Sequence, residues 1–254
     1  MKLLEALKLN KNEMISIVGA GGKTSLMYAL GKEAREIGLK TILTTSTKMF
    51  YPEKINFEAI ISSDPEELYE RVHQAFSKDD LVLIGKEIEG QRYGFRKMIG
   101  FAPEQFGDLS WMEADLIVVE ADGADRKPFK APDVHEPAIP KQSTLVIPVV
   151  GIDCIGKPLT KEFVHRPEQI IRLTGAQLGT KISPEIVASV ITSSLGYLKE
   201  VPEQARWVPF INKVETLEDL ELARTIAYLA KQKQAVPVVL GAVTEDQPVL
   251  EVIG

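Results

Sequence analysis

The sequence contains little cysteine and histidine, and it has no excess of positive charge. Its 254 residues include one cysteine, Cys154, so an internal disulfide is excluded and a reducing compartment is favoured. The three histidines do not pair at the spacing of zinc ligands, and we therefore expect no zinc site. With 30 Lys and Arg against 36 Asp and Glu, the net charge is −6, which argues against a broad surface for nucleic acid.

Long hydrophobic runs are also missing. The longest apolar stretch, residues 145–150, is interrupted by Pro148 and is too short to cross a bilayer. The first residues carry charges at positions 2, 5 and 8, so no apolar signal-peptide core is present. Apolar residues at 44% and charged residues at 26% exclude wholesale disorder and fit one large α/β domain. We expect a cytoplasmic protein with a single domain over 1–254 and with no membrane or nucleic-acid partner.

Short apolar runs alternate with helix-like segments along the chain. This alternation predicts a mainly parallel sheet with helices on both faces, in which ligands bind at the carboxyl ends of the strands. A turn-rich segment within about 81–101 predicts an inserted β-hairpin that pairs 81–84 with 94–101. The predicted strands are 14–18, 41–45, 59–61, 116–119, 145–150, 208–211 and, as the last one, 236–240, and the predicted helices are 24–37, 65–76, 183–195 and 217–231.

The strongest local signal is a glycine-rich turn that follows a predicted strand and opens a predicted helix. Glycines let backbone N–H groups approach an anion, the helix N-terminus adds positive potential, and Lys23 adds a full charge. The Thr24 hydroxyl is placed to bind a Mg²⁺ ion that accompanies a phosphate. Only two residues separate the first glycine from Gly-Lys, and this short form resembles the ATP-binding loop of Mur ligases. The predicted nucleotide-binding residues of this P-loop-like segment are Gly19, Ala20, Gly21, Gly22, Lys23, Thr24 and Ser25.

Two carboxylates, Glu120 and Asp122, follow the apolar strand 116–119. A carboxylate at a strand end beside a P-loop commonly binds Mg²⁺ or orients water. We predict that Glu120 binds Mg²⁺ together with Thr24, and that Glu120, Asp122 and Lys23 are the catalytic residues. The alternative is an ordinary acidic turn after a strand.

Further polar and basic residues lie after other predicted strands or in loops. Hydroxyls after the second strand are placed to reach a phosphate or Mg²⁺ from the opposite side, and loop cations can neutralise an acidic second ligand. Ordinary turns and solvated charged loops are the alternatives. The candidates for a second ligand are Thr45, Lys48, Arg126, Lys130, His135, His165 and Arg166.

The segment Asn212-Lys213-Val214-Glu215 resembles the base-reading Asn-Lys-x-Asp motif of GTPases, with Glu215 in place of Asp. It follows a late predicted strand, and we predict that Asn212 and Lys213 contact the nucleotide base. Helix capping is the alternative, and the longer Glu215 side chain leaves the choice between ATP and GTP open. Cys154 is predicted to be a buried apolar residue rather than a nucleophile.

Several segments together resemble the YqeC-like family, accessory proteins of selenium-dependent molybdenum hydroxylases, from about residue 5 to 245. The resemblance implies a cytoplasmic P-loop-type protein that helps to mature such a hydroxylase or its molybdenum cofactor. The segments that carry it are Val-Gly-Ala-Gly-Gly-Lys-Thr-Ser at 18–25, Thr-Thr-Ser-Thr-Lys-Met at 44–49, Val-Glu-Ala-Asp-Gly-Ala at 119–124, Lys-Ala-Pro at 130–132, His-Glu-Pro-Ala-Ile-Pro at 135–140 and His-Arg-Pro-Glu at 165–168.

Three functions remain open at this point. Lys23, Thr24 and Glu120 favour a Mg²⁺-dependent ATPase or GTPase that acts as a maturation factor. The short Mur-like loop and the basic segment 126–130 favour an ATP-dependent ligase or transferase. A phosphate loop also fits a non-catalytic carrier of a phosphate-bearing molybdenum cofactor.

Overall fold

The computed structural model describes residues 1–92 and 94–254, without the side chains of 91, 92 and 108–111. Its strands are β1 Glu13–Gly19, β2 Thr41–Thr45, β3 Lys48–Phe50, β4 Glu58–Ile61, β5 Leu81–Gly85, β6 Glu87–Arg92, β7 Phe95–Ile99, β8 Leu116–Glu120, β9 Phe129–Lys130, β10 Leu145–Gly151, β11 Val164–His165, β12 Arg206–Trp207, β13 Phe210–Asn212, β14 Val238–Gly241 and β15 Val249–Ile253. Its α-helices are α1 Leu3–Ala6, α2 Lys23–Glu36, α3 Pro65–Phe76, α4 Pro167–Thr174, α5 Pro184–Thr192 and α6 Leu217–Lys233, and 3-10 helices span Pro103–Met112 and Ile152–Cys154.

A large, mainly parallel sheet forms the centre of the molecule, as the alternation of apolar runs predicts. Within the described residues it has ten strands in the order β15-β14-β13-β10-β1-β8-β2-β5-β4, with β12 beside β10. Strand β1 lies between β8 and β10, and Ile15 stands opposite Val118 on one side and Leu145 on the other. The strand pair β14 and β15 is antiparallel.

Helices cover both faces of this sheet. Ile15 and Ile17 of β1 pack with Leu26 and Leu30 of α2 on one face. Their neighbour Val18 points to the opposite face, where a second apolar cluster includes α5 and α6. Burial on both faces explains why the central strands are continuous apolar runs instead of alternating ones.

The predicted hairpin exists, but its first strand is β6 and not the predicted segment 81–84. Residues 81–84 belong to β5, which lies in the main sheet parallel to β2 and β4. The hairpin is formed by β6 and β7, and β3 pairs with β7 to complete a small antiparallel sheet. All five residues of β5 are buried, which fits a central strand and not an exposed hairpin strand.

The other boundaries agree with the sequence patterns to within a few residues, with two exceptions. The prediction that 236–240 is the last strand is wrong, because β15 follows and pairs with β14. Helix α5 ends at Thr192 instead of 195. Asp64 is the N-cap of α3, a position at which Asp is strongly preferred. Its carboxylate accepts hydrogen bonds from the N–H groups of Glu66 and Glu67. Among the described residues, no helix is long and apolar enough to span a bilayer.

The parallel strands bring the candidate segments to one edge of the sheet. Their carboxyl ends are Gly19 of β1, Thr45 of β2, Glu120 of β8, Gly151 of β10 and Asn212 of β13. Because parallel strands end on the same side, residues distant in sequence meet at this edge, where ligands bind in open α/β sheets.

Candidate functional site

The glycine-rich turn connects β1 to α2 and is tightly packed against neighbouring backbone. Gly21 has φ +86°, and a Cβ there would lie 2.2 Å from the backbone nitrogen of Gly151. The turn amides differ from the expectation that they face an anion. The N–H groups of Gly19, Ala20 and Gly21 donate to Asp122, to the carbonyl of Val149 and to the carbonyl of Lys127 at 2.9, 2.9 and 3.0 Å. These bonds hold the turn, so the amides of Gly19, Ala20 and Gly21 are not free to bind an anion.

The N-terminus of α2 supplies other donors. The first helical N–H that bonds backward is that of Leu26, which donates to the carbonyl of Gly22 at 2.9 Å. The amides of Lys23, Thr24 and Ser25 therefore precede the hydrogen-bonding ladder of the helix. Gly22 is the N-cap and has no side chain to cap them, and the first turn carries no acidic residue. The positive end of α2 is thus open to an external anion.

Lys23 is buried and lies between two carboxylates. Its Nζ donates to the carbonyl of Gly19 at 2.8 Å and lies 3.1 Å from Asp122 and 3.9 Å from Glu120. Burial by itself lowers the pKa of Lys23, but Asp122 and then Glu120 outweigh it and raise the pKa above its ordinary value. The ammonium is therefore charged and is held at the floor of the site by the protein's own carboxylates.

The two carboxylates have opposite pKa shifts. Burial raises the pKa of Glu120, although Lys23 and the hydroxyl of Thr24 act in the other direction. Burial also acts to raise the pKa of Asp122. The charges of Lys130 and Lys23 outweigh burial and hold this pKa below its ordinary range. Asp122 is thus an ionised anchor between two lysines, whereas Glu120 is the carboxylate that takes up a proton more readily.

A chain of buried charges continues from Asp122 towards the histidine and arginine loop. Lys130 is fully buried, and its Nζ lies 3.1 Å from Asp122 and 2.5 Å from Glu136. Glu136 also pairs with Arg166, whose guanidinium lies 3.5 Å from Asp133 as well. No pattern in the sequence marks Glu136 as a site residue, although it stands beside His135 in a segment of the family resemblance. Carboxylates of the protein therefore already neutralise Lys130 and Arg166, the two cations of this chain of charges.

Thr24 and Glu120 meet as the Mg²⁺ prediction requires. The Thr24 hydroxyl donates to Glu120 at 2.6 Å. Both side chains offer oxygen, which is the donor that Mg²⁺ prefers, and Mg²⁺ commonly takes one or two protein ligands besides phosphate and water. This pair therefore fits the ion, with the remaining positions left to a ligand. Among the described residues no cluster of three or more His, Cys, Asp or Glu forms a metal cage.

A cleft of about 560 Å³ opens beside these residues, within the range typical of small-molecule sites. Residues 21–25 are part of its lining. Seven Lys and Arg side chains line the described part of the cleft against three carboxylates, so the site is basic in a protein of net charge −6. The cations are Lys23, Lys48, Lys97, Arg126, Lys127, Arg166 and Lys213, and the carboxylates are Glu120, Asp125 and Glu136.

Four candidates are already engaged by the protein, and of these Lys48 and Lys213 line the cleft. The Thr45 hydroxyl donates to the carbonyl of Glu120 at 2.7 Å, and Lys48 pairs with Glu89 at 2.7 Å. The amide of Asn212 donates to the carbonyl of Gly21 at 2.8 Å and accepts the N–H of Val243 at 3.1 Å. One end of this amide thus supports the turn, and the other end bonds to the segment that follows β14. Lys213 lines the cleft and pairs with Asp153 at 2.7 Å.

The histidines are placed differently. His165 lines the cleft, and burial together with Lys130 and Arg166 lowers its pKa, so the imidazole is neutral near pH 7. His135 is exposed and lines a separate groove, so the structure does not bring it to this cleft. Cys154 is fully buried in the apolar core, as predicted, and burial raises the pKa of its thiol.

Besides Glu136, the sequence patterns do not indicate Phe50 of β3 and Lys97 of β7 as cleft residues. They belong to the small antiparallel sheet, whose position against the main sheet no local pattern indicates. The available signal was an aromatic residue at the end of the segment 44–50, beside the polar residues already considered.

Comparison with known proteins gives the same family as the sequence resemblance. The profile of the family described as YqeC protein matches residues 15–168. A protein of Escherichia coli (strain K12) described as uncharacterized protein YqeC is 32% identical over 233 residues, which cover 91% of this chain and 88% of that protein. The chain belongs to the YqeC family. In this YqeC-family protein, the profile match includes the glycine-rich turn, both strand-end carboxylates and the His165 loop.

Among solved structures, the crystal structure of FtsY from Mycoplasma mycoides is similar at a TM-score of 0.39 and 10% sequence identity. The match covers 96% of this chain, which spans 65% of the length of that FtsY chain. A likeness at this level is too low to define a shared site.

Proposed function

We propose that this YqeC-family protein is a P-loop-like, Mg²⁺-dependent nucleotide-binding protein that holds the phosphates of ATP or GTP at the N-terminus of α2. The observation that carries the proposal is the uncapped helix end, which opens into a cleft whose described lining has seven cationic side chains and three carboxylates. Helix dipole and free N–H groups act together on an anion, and the surrounding cations add to the attraction.

The residues divide into three roles in this proposal. The amides of Lys23, Thr24 and Ser25 bind phosphate oxygens, and Lys23 adds its charge from the floor of the cleft. Thr24 and Glu120 are the side chains that would hold Mg²⁺, which supplies charge stabilisation on the phosphate oxygens when bound. Asp122 keeps the turn in place, because it accepts the N–H of Gly19 at 2.9 Å.

Nucleotide hydrolysis is the reaction that we propose for this site. Glu120 lies beside Thr24 and Lys23, so the carboxylate that would hold Mg²⁺ stands next to the groups that would bind the phosphates. The family resemblance supports a role in maturing a selenium-dependent molybdenum hydroxylase or its cofactor, and such a hydroxylase is the partner that we propose. Multiple turnovers of phosphate release separate this proposal from a non-catalytic cofactor carrier, which binds without turnover.

The phosphate site is tested with a pair of substitutions at one exposed position, Ser25→Glu and Ser25→Gln. A carboxylate in the first turn of α2 stabilises the ligand-free helix by about 0.3–1 kcal/mol but repels a bound phosphate. We expect Ser25→Glu to weaken binding of MgATP, MgGTP and tripolyphosphate roughly tenfold or more in calorimetry, without loss of melting temperature. Ser25→Gln is similar in size and keeps the affinity.

An exposed lysine far from the cleft, Lys78, provides a second control, since Lys78→Ala leaves affinity unchanged. Equal affinities of wild type and Ser25→Glu for all three ligands, or no binding to the wild type, would contradict the phosphate site. Phosphate release is then measured with and without a molybdenum hydroxylase, and its absence in both cases removes the hydrolase part of the proposal.

A further inference from the structure

A group of stacked side chains contributes Phe50, Lys97 and Arg126 to the lining of the cleft, and Phe95 packs against Phe50 and Arg126. The guanidinium of Arg126 lies 4.6 Å from the ring centroid of Phe50 and 5.0 Å from that of Phe95. The two rings meet edge to face at 5.8 Å. Lys97 lies 5.5 Å from the Phe50 centroid on the same small sheet. Phe95 is 42% exposed and Arg126 is exposed, so this group is not part of the folded core.

The cations of this group differ from the other cations of the cleft. Lys23, Lys48, Arg166 and Lys213 pair with carboxylates, and Lys127 donates to the carbonyl of Glu162 at 2.6 Å. In the part of the chain that the structure describes, neither Arg126 nor Lys97 pairs with a carboxylate. Their contacts are instead with aromatic rings, so no carboxylate in that part of the chain competes with a ligand for these two cations.

This group shares a cleft with the proposed phosphate site. Phe50, Lys97 and Arg126 line the same continuous cleft of about 560 Å³ as the N-terminus of α2. The alternative base site at Asn212 is disfavoured, because both ends of that amide already bond to the protein. A ligand with phosphates at α2 therefore occupies a cleft that also offers an aromatic and guanidinium surface.

We infer that Phe50 and Arg126, supported by Phe95 and Lys97, form the stacking site for the aromatic base of the cleft nucleotide. This inference rests on the proposed function, and it adds how the base is recognised. Aromatic and guanidinium faces stack on any base, because every base has a π-face. The site therefore accepts adenine and guanine about equally, which answers the question that the Asn212 segment left open.

The test compares ligands with and without a base on matched variants. Phe50→Leu keeps apolar volume but removes the ring, and Arg126→Lys keeps the charge but removes the planar face. We expect each variant to lower the affinity for ATP and GTP roughly five- to hundredfold and to leave tripolyphosphate affinity unchanged. Tyr228→Leu removes an exposed ring outside the cleft and leaves all three affinities as in wild type. Melting temperatures confirm that each variant is folded.

The outcomes separate this inference from the phosphate site. If Ser25→Glu abolishes tripolyphosphate binding while Phe50→Leu leaves ATP affinity unchanged, the phosphate site stands and the stacking site is overturned. An equal loss of ATP and tripolyphosphate affinity in Phe50→Leu also overturns it, as does a preference between ATP and GTP greater than about tenfold, which is about 1.4 kcal/mol. If the wild type binds none of these ligands, both proposals fail.

Discussion

Glu120 and Asp122 show how two carboxylates of one strand end acquire different chemistry. Asp122 lies near Lys23 and Lys130, each at 3.1 Å, and accepts a backbone N–H, so its ionised form is favoured. Glu120 has Lys23 at 3.9 Å and one hydroxyl, which is not enough to offset burial. Opposite shifts in neighbouring groups commonly separate a structural charge from a reactive one.

The two shifts give predictions of opposite sign for stability. A raised pKa means that the folded state binds the proton of Glu120 more tightly, so the residue's contribution is greatest below its unfolded pKa of about 4.3 and is lost as pH rises through the folded pKa. We therefore expect Glu120→Gln to raise the melting temperature at pH 7–8 relative to wild type, with a gain that shrinks towards pH 4.

For Asp122 the sign is reversed. Its lowered pKa contributes stability above the unfolded value of about 3.9, and this contribution is lost as pH falls through the folded pKa. We expect Asp122→Asn to lower the melting temperature at neutral pH, because it leaves two buried lysines with less counter-charge. Thermal melts of both variants from pH 4 to 8 test the pair, and shifts in the same direction at pH 7 would contradict the assignment.

At the scale of elements, the junction between β1 and α2 depends on a close approach of its turn residue Gly21 to the end of β10 at Gly151. A Cβ at Gly21 would lie 2.2 Å from the nitrogen of Gly151 and 2.7 Å from the carbonyl of Pro128, both of which are backbone atoms that cannot rotate away. The turn that presents α2 to the cleft is therefore tied to β10 as well as to β1.

Gly21→Ala and Gly38→Ala form a matched pair, since both glycines have positive φ, of +86° and +73°. A Cβ at Gly38 meets nothing within 4 Å, so Gly38→Ala carries only the left-handed backbone strain of about 1–2 kcal/mol. We expect Gly21→Ala to lose more unfolding free energy in denaturant melts and also to lose tripolyphosphate binding. Equal losses in the two variants, with binding retained, would show that the contact with β10 is not needed.

At the scale of the whole molecule, the distribution of charge is more informative than its sum. The net charge of −6 repels phosphates at long range, whereas the cleft gathers seven cations. Charges separated by more than about 10 Å are screened at 0.1 M salt, while close and partly buried contacts are screened less.

This contrast predicts the salt dependence of phosphate binding. We expect tripolyphosphate affinity to fall several-fold as NaCl is raised from about 50 to 500 mM, because the exposed cations of the cleft are screened by salt. Calorimetry at the two salt concentrations measures the change. Sulfate salts are avoided, because sulfate would compete with phosphate for an anion site. An affinity that does not fall with salt would argue against a cationic phosphate site.

The sequence by itself determined the mainly parallel sheet, most of its strands and the family. Continuous apolar runs encode strands buried on both faces, and the capped starts of helices such as α3 encode their position. The glycine-rich turn and the carboxylates after β8 were also visible, because motif and spacing are local properties.

Only the tertiary structure decided what these residues contact. It placed β5 in the main sheet, directed the turn amides of Gly19, Ala20 and Gly21 to protein acceptors, and used Asn212 to support the turn. It also brought Phe50 and Arg126 together, although 76 positions separate them in the chain (126 − 50). Local pattern fixes which segments are strands or helices, but which side chains neutralise one another depends on the register and order of strands that are distant in sequence.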